Sequence, residues 1–315
     1  MLSMQLITLL LVGIAATHAA PTDNIRRATT PISSITTTQW LALDQSVGGR
    51  LHKGYPMAKP CYSVYNGVLQ TPSLAQCSAV QTGYTDEIYI ASQYGGYMNI
   101  AEDLMADKLS SQTNWGYCQA TAKECGLDFN VPANPLYYTA PANCQQGSVP
   151  DYYIDVRQVS DIQAGLAFAS STGVPLVIKN SGHDYKGRSS GRSALALWTH
   201  NVQPALKLDQ DFVPDGCTVS AGKGVTMGAG QGFAGLYEFA EANQITIVGG
   251  SSRTVGAAGG WISGGGHGAL SNTLGLGVDN VLQIKAVLPD GTYVTANRCQ
   301  NQDIFFALRG GGGST

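Results

Sequence analysis

Residues 174–193 read VPLVIKNSGHDYKGRSSGRS, and the fold is decided by how this stretch is read. Val174 to Ile178 is an apolar run of the length of a short buried strand. It breaks at once into the polar, glycine-bearing loop Asn180-Ser181-Gly182-His183-Asp184. A loop that exposes successive backbone N–H groups at a strand end is an anion nest. A histidine in the middle of one asks for a chemical reason.

Working outward, Tyr153 to Val156 predicts a strand, and Ser160 to Thr172 predicts a helix with Ile162, Leu166 and Ala169 on one face. Gly173 supplies its stop. With Val174 to Ile178 this makes a β-α-β unit, whose parallel strands carry ligands at their carboxyl ends. Further strands are expected at Leu195 to Trp198, Cys217 to Ala221 and Ile245 to Val248, and an amphipathic helix at Phe233 to Ala242. Val281 to Leu288 and Tyr293 to Ala296 read as a hairpin around the turn Pro289-Asp290-Gly291. Asp303 to Arg309 reads as a helix capped by Asp303 and ended by Gly310. The class is α+β, locally α/β.

A second stretch answers the first. Gly249 to Gly268 reads GGSSRTVGAAGGWISGGGHG, in which 9 of 20 residues are glycine. A packed core gains nothing from that, since glycine buries no side chain and costs conformational entropy. A backbone that must touch a large flat ligand and its diphosphate does require it, because N–H groups can then surround phosphate oxygens without side-chain collision. The bland alternative is a string of structural turns. The Gly230-Gln231-Gly232-Phe233-Ala234-Gly235 segment matches GxGxxG and opens a helix, but a nicotinamide fold also wants an acidic residue about 20 positions on. That region is Gly249 to Thr254 and has no carboxylate, so these glycines read as a helix start.

Composition sets outer limits. The chain has 315 residues, 43% hydrophobic and 12% charged, enough for one large core or two smaller ones. A net charge of -3 without basic runs argues against nucleic acid and anionic membranes as partners. Leu6 to Ala16 is an apolar run of 11 residues followed by Thr17-His18-Ala19-Ala20, which predicts a signal peptide over residues 1–19 and a mature protein that is secreted and does not enter the membrane. Seven cysteines, Cys61, Cys77, Cys118, Cys125, Cys144, Cys217 and Cys299, fit an oxidising compartment, where most should pair and one is left over. None shows CxxC spacing, so no metal site is expected. No Asn-x-Ser/Thr sequon occurs. Residues 21–40 predict a disordered or extended stretch. Residues 20–149 read as an N-terminal cap, with helices at Leu74 to Val80 and Ala101 to Leu109, and with Pro132, Pro135, Pro141 and Pro150 denying regular structure between.

From residue 150 to 315 the motifs KNSGHDYKGRS, WTH at 198–200, SAGKGV at 220–225, TVGAAGGWISGGGHG and DIFFALRGGGG occur in the order of the FAD-binding domain of the vanillyl-alcohol-oxidase superfamily, which this region resembles. Within it, the region is most similar to the secreted fungal branch of berberine-bridge-enzyme-type oxidases. The resemblance implies a PCMH-type domain holding FAD between two α+β subdomains, with a disulfide-rich N-terminal cap. It implies that His183 is the 8α attachment point for the flavin ring. It places further cofactor contacts on Lys179, Asn180, Ser181, Gly182, Asp184 and Ser189 in the first loop. In the second loop it places them on Gly249, Thr254, Val255, Gly256, Gly259, Gly260, Ser263, Gly264, Gly265 and His267. Tyr185 and His267 are the side chains it brings near the ring, His267 in a supporting role.

Neutral imidazole is a competent nucleophile toward an activated methyl carbon. Many relatives carry a second, cysteine link; aligned on Thr254-Val255-Gly256 that position is Ser252, and serine cannot form a thioether. Attachment through His183 alone is expected. The implied reaction is two-electron oxidation of a small alcohol, sugar or secondary metabolite, with hydride passing to flavin N5 and O2 taking the electrons to give hydrogen peroxide. The sequence ends at Thr315 inside RGGGG, where the family's substrate domain normally follows. The catalytic base and substrate pocket are therefore expected outside this chain, and none is assigned. Two other readings stay open: a catalytically inactive flavin-binding remnant, and a secreted carbohydrate-binding or structural protein without flavin.

Overall fold

The computed structural model describes residues 30–97, 125–184 and 187–312. The signal peptide expected over residues 1–19, the helix expected at Ala101 to Leu109, Cys118 and Tyr185 lie outside the described residues.

The first helix, α1 (Thr37–Ser46), corrects the reading of residues 21–40 as disordered or extended at positions 37–40, while residues 21–29 lie outside the described residues. Thr36 and Gln39 form a reciprocal capping box, with Gln39 N donating to Thr36 Oγ1 at 3.2 Å and Thr36 N donating to Gln39 Oε1 at 2.9 Å. The helix then buries Trp40, whose ring stacks on Tyr152 at 4.1 Å. A Thr/Ser-rich composition hid this, because the stabilisation is one cap and one tertiary contact. Strand β1 (Leu51–Lys53) follows, then the short pair β2 (Val64–Tyr65) and β3 (Val68–Leu69), and helices α2 (Leu74–Gly83) and α3 (Glu87–Ser92). Disulfides Cys61–Cys77 and Cys125–Cys144 staple this region around a cluster that includes Met57, Val80 and Tyr84.

The β-α-β unit is β4 (Tyr152–Asp155), α4 (Val159–Thr172) and β5 (Leu176–Lys179). Gly173 ends α4 in the left-handed conformation, φ +74°. The two strands are not neighbours, because β6 (Leu195–Trp198) lies between them, parallel to both, in a sheet of order β1-β4-β6-β5. The register sets Asp155, Trp198 and Lys179 side by side, so the carboxyl ends of all three parallel strands are level. Strand β1, from the segment before residue 150, adds the antiparallel edge with Leu51 opposite Ile154. Ile154, Leu195 and Leu197 are buried under α1 and α4, and each contributes roughly 1.5–3 kcal/mol by leaving water.

The second half holds two antiparallel pairs, β7 (Lys207–Asp209) with β8 (Gly224–Thr226) and β9 (Gln283–Val287) with β10 (Tyr293–Asn297). Between them come α5 (Phe233–Ala242) and the short helices α6 (Gly260–Ser263) and α7 (Ser271–Leu274). The β9–β10 turn has Gly291 at φ +87° and Asp290 Oδ1 accepting from Thr292 N at 2.8 Å. The fold is α+β, with three disulfides among the described residues.

Three expected elements are corrected here. Cys217 to Ala221 is not a strand: Cys217 is bridged to Cys299, and the loop closes on itself through Ala221 N to Phe212 O at 2.8 Å. The ladder there is made by β7 and β8 instead. Ile245 to Val248 has the burial alternation of a strand but forms none: Ile245 N turns back to donate to Ala240 O at 3.0 Å. The last helix, α8 (Gln302–Ala307), is entered through Asn301 at φ +48° without a side-chain cap, so Asp303 sits in its first turn and does not cap it.

Candidate flavin site

The loop after β5 and the glycine-rich run after α5 face each other across a cleft of about 1470 Å³. That exceeds the roughly 300–1,000 Å³ of ordinary small-ligand pockets and gives room for a dinucleotide-sized cofactor. The first loop contributes Asn180, Ser181, Gly182, His183, Asp184 and Ser189 to the lining. The second contributes Gly249, Val255, Gly256, Gly259, Gly260, Ser263, Gly264 and His267.

Three expected contacts stand back from the lining. Gly265 does, at φ +99°. Thr254 is 5% exposed and spends its hydroxyl on His183. Lys179 has its side chain wholly buried beneath the loop.

His183 joins the two loops, with Nε2 2.7 Å from Thr254 Oγ1. Its ring also meets Tyr97 at a centroid distance of 4.4 Å. Burial, and after it the nearby Lys179, push the imidazole down to about 4, so the ring is neutral above that range. The first loop is locked from within, as Asp184 pairs with Arg188 at 2.6 Å and accepts from its backbone N–H. It is locked from below, as Trp198 Nε1 donates to Asn180 O at 3.0 Å.

Glycine is required where the loops approach most closely. A Cβ at Gly256 would lie 2.2 Å from Asn180 Nδ2, and that amide donates to Ala229 O. A Cβ at Gly182, itself at φ +104°, would lie 1.8 Å from Tyr97 O. Gly260, by contrast, has open space at its Cβ position, on the cleft side where a ligand backbone contact would fall. Gly232 is the N-cap of α5 and bridges to Gly256, so the GxGxxG match serves helix entry and loop packing.

One wall was not legible in the sequence. Tyr84, Glu87, Ile90, Tyr97 and Phe129, all from the disulfide-stapled segment, line the same cleft. Arg253 in the second loop approaches Glu87 of α3 at 3.8 Å. The aromatic-glycine run Gln93-Tyr94-Gly95-Gly96-Tyr97 was the available signal, since glycine beside tyrosine marks close backbone approach. Gly250, Ser251, Ser252, Trp261, Gly266 and Gly268 complete the second loop's lining.

The residues fit an FAD-like group. Among the described residues, the donors in the two loops are mostly backbone and small hydroxyls, the one arginine lining the cleft is paired with Asp184, and a buried amide oxygen, Asn180 Oδ1, has no hydrogen-bond partner.

Comparison with known proteins agrees with this geometry. A family model described as an FAD binding domain matches residues 150–297. An FAD-linked oxidoreductase of Aspergillus flavipes is 43% identical over 276 residues, covering 88% of this chain and 43% of its own. Another, of Phaeosphaeria nodorum, is 40% identical over 277 residues, covering 88% and 53%. The crystal structure of a VAO-type flavoprotein of Myceliophthora thermophila matches with a TM-score of 0.71 at 30% identity, over 89% of this chain and 45% of that one. The chain spans about half the length of the curated relatives it matches.

Proposed function

Residues 150–297 are an FAD-binding domain of the vanillyl-alcohol-oxidase type, and from that premise we propose that the chain is the flavin-holding part of a secreted FAD-linked oxidoreductase, tethered to FAD through His183. The observation that carries this reading is the placement of a half-buried, neutral imidazole on a glycine-lined cleft, fixed to the opposite loop by Thr254.

FAD, when bound, supplies two-electron oxidation of a small alcohol, sugar or secondary metabolite, with hydride accepted at N5 and the electrons passed to O2 to give hydrogen peroxide. The chain's own residues bind and orient. With Nε2 engaged by Thr254, Nδ1 is the ring nitrogen left to bond the 8α carbon whenever Nε2 keeps its proton. The Gly256–Gly260 and Ser263–Gly264 backbone is bare enough for N–H groups to reach diphosphate oxygens. Tyr97 packs its ring against His183 at a centroid distance of 4.4 Å and so limits how far the imidazole can turn. Ser252, on the lining, cannot form a thioether, so attachment is single. Secretion is supported by the apolar run at Leu6 to Ala16 and by three disulfides, and no helix among the described residues is long and apolar enough to cross a membrane.

The test is expression through a secretory pathway, followed by acid precipitation. Visible flavin absorbance should stay with the pellet, map to the His183 peptide alone, and leave the protein in His183→Ala. Protein that is colourless, and stays so when FAD is supplied, would overturn the reading.

A further inference from the structure

The side chain of Lys179, the last residue of β5, is 0% exposed, and its Nζ has no hydrogen-bond partner. No acidic group pairs with it among the described residues. Its Nζ lies 5.5 Å from the Tyr94 ring centroid and 5.6 Å from that of Trp198. Tyr94 is itself clamped, stacked on Tyr153 at 3.8 Å and set edge-on to Trp198. The lysine stem passes directly under the loop: a Cβ at Gly182 would stand 2.9 Å from Lys179 Cε. His183 follows Gly182, on the cleft side of the same turn. His200 also stacks on the Trp198 indole, at 5.6 Å, and its Nδ1 is likewise buried without a partner.

An amine this deep is costly to charge and costly to leave unpaired. Hydrophobic packing alone would be served better by methionine or leucine at this position. An amine caged by aromatic faces holds its place and projects a positive potential through a medium of low polarisability. On the cleft side, the titratable ring that feels this charge is His183, next in sequence to the Gly182 that rests on the lysine stem. Among the described residues, the other polar groups about that ring are Tyr97 from the stapled segment, Thr254 from the second loop, and Asp184 with its charge matched by Arg188.

We propose that Lys179 is a positioning residue of the flavin site, caged by Tyr94 and Trp198 beneath the Gly182 turn so that its charge holds His183 as the neutral imidazole. The inference rests on His183 being the flavin-bearing residue, but it concerns the ring before any cofactor arrives. Burial alone already favours the neutral ring; Lys179 adds a like charge that opposes ring protonation in acid, where the lysine is itself an ammonium. A secreted protein meets such acidity, and a protonated imidazole has no lone pair with which to bond carbon.

The experiment is a histidine-ring NMR titration of the full chain without flavin, with the His183 signal identified by its loss in His183→Gln. In the native chain the ring should titrate at about 4. In Lys179→Met, which keeps the stem and removes the charge, its midpoint should rise by about one unit. In Lys179→Arg, which keeps a permanent charge, it should stay low. A midpoint unmoved in Lys179→Met, or raised equally in both variants, overturns the proposal. Should Lys179→Met not fold, Lys179→Gln takes its place: it too removes the charge, so the His183 midpoint should rise by a similar amount, and an unmoved midpoint sinks the idea. Because no flavin enters the measurement, a chain that binds no FAD can still pass it. A flavinylated chain whose His183 ignores Lys179 would lose this inference alone.

Discussion

The Nε2 atom of His183 and the Oγ1 atom of Thr254 lie 2.7 Å apart, a hydrogen bond between side chains 71 residues apart that ties the loop after β5 to the glycine-rich run after α5. It occupies one ring nitrogen and so orients the other. It also bridges the two walls of the cleft, so it should be felt in loop geometry and in flavin attachment alike.

Thr254→Val keeps the shape of the side chain and removes the hydroxyl. The loss of one hydrogen bond should cost about 1 kcal/mol of stability. Covalent flavin should fall well beyond that, since a ring free to turn spends less time in the productive orientation. Thr254→Ser should recover most of it. The ratio of visible to ultraviolet absorbance after acid precipitation reads the difference, and equal ratios in all three proteins would contradict the argument.

Gly182→Ala combines two penalties, a left-handed backbone at φ +104° and a Cβ that would sit 1.8 Å from Tyr97 O. The strain alone is of order 1–3 kcal/mol. Gly260→Ala meets open space in the protein and should leave stability nearly unchanged while weakening cofactor retention. Thermal unfolding of the two variants beside their flavin content checks the contrast; a stable Gly182→Ala would refute it.

Arg50 and Asp161 form a pair at 2.5 Å in which the carboxylate is fully buried and also accepts from the backbone N–H groups of Arg157 and Gln158. Burial raises this carboxyl, and the Arg50 hydrogen bond with the two backbone donors outweighs it, leaving the group below its ordinary 3.8. Its stabilisation is therefore present above that value and lost as pH falls below it. Asp161→Asn leaves Arg50 without its partner and should cost about 3 kcal/mol at neutral pH, the low end for a buried pair because the arginine is 28% exposed. Urea unfolding measures this, and the gap between variant and native chain should close in acid.

His183 and His200 are both held to about 4 by burial and then by Lys179, against an ordinary 6.5. The unfolded chain takes up protons between those limits that the folded chain refuses. Stability from the two rings is thus complete above 6.5 and declines as pH falls toward 4. His200→Gln should flatten the decline in melting temperature over that window. A slope identical to the native one would show that His200 titrates normally.

The parts of this fold legible in the chain are those whose cause is local. Helix α5 occupies the residues its apolar periodicity indicated, and β9 and β10 form the hairpin that Pro289-Asp290-Gly291 announced. The glycine run and His183 were readable as a candidate site, since an anion-binding backbone needs bare residues in sequence, and the two loops do line one cleft. The loop at Cys217 was misread because its shape comes from a bond to Cys299, 82 residues away.

What the sequence determined by itself was therefore the inventory: a β-α-β unit, two glycine-bearing loops, an imidazole in one of them and enough cysteine for staples. Tertiary structure alone decided that β6 lies between β4 and β5, that the stapled segment walls the cleft with Tyr97 and Glu87, and that Lys179 faces inward under aromatic rings. The reason is that strand order, burial and contact between distant loops depend on which surfaces meet. Periods of two and 3.6 residues say which face of an element is apolar, and nothing of what comes to cover it.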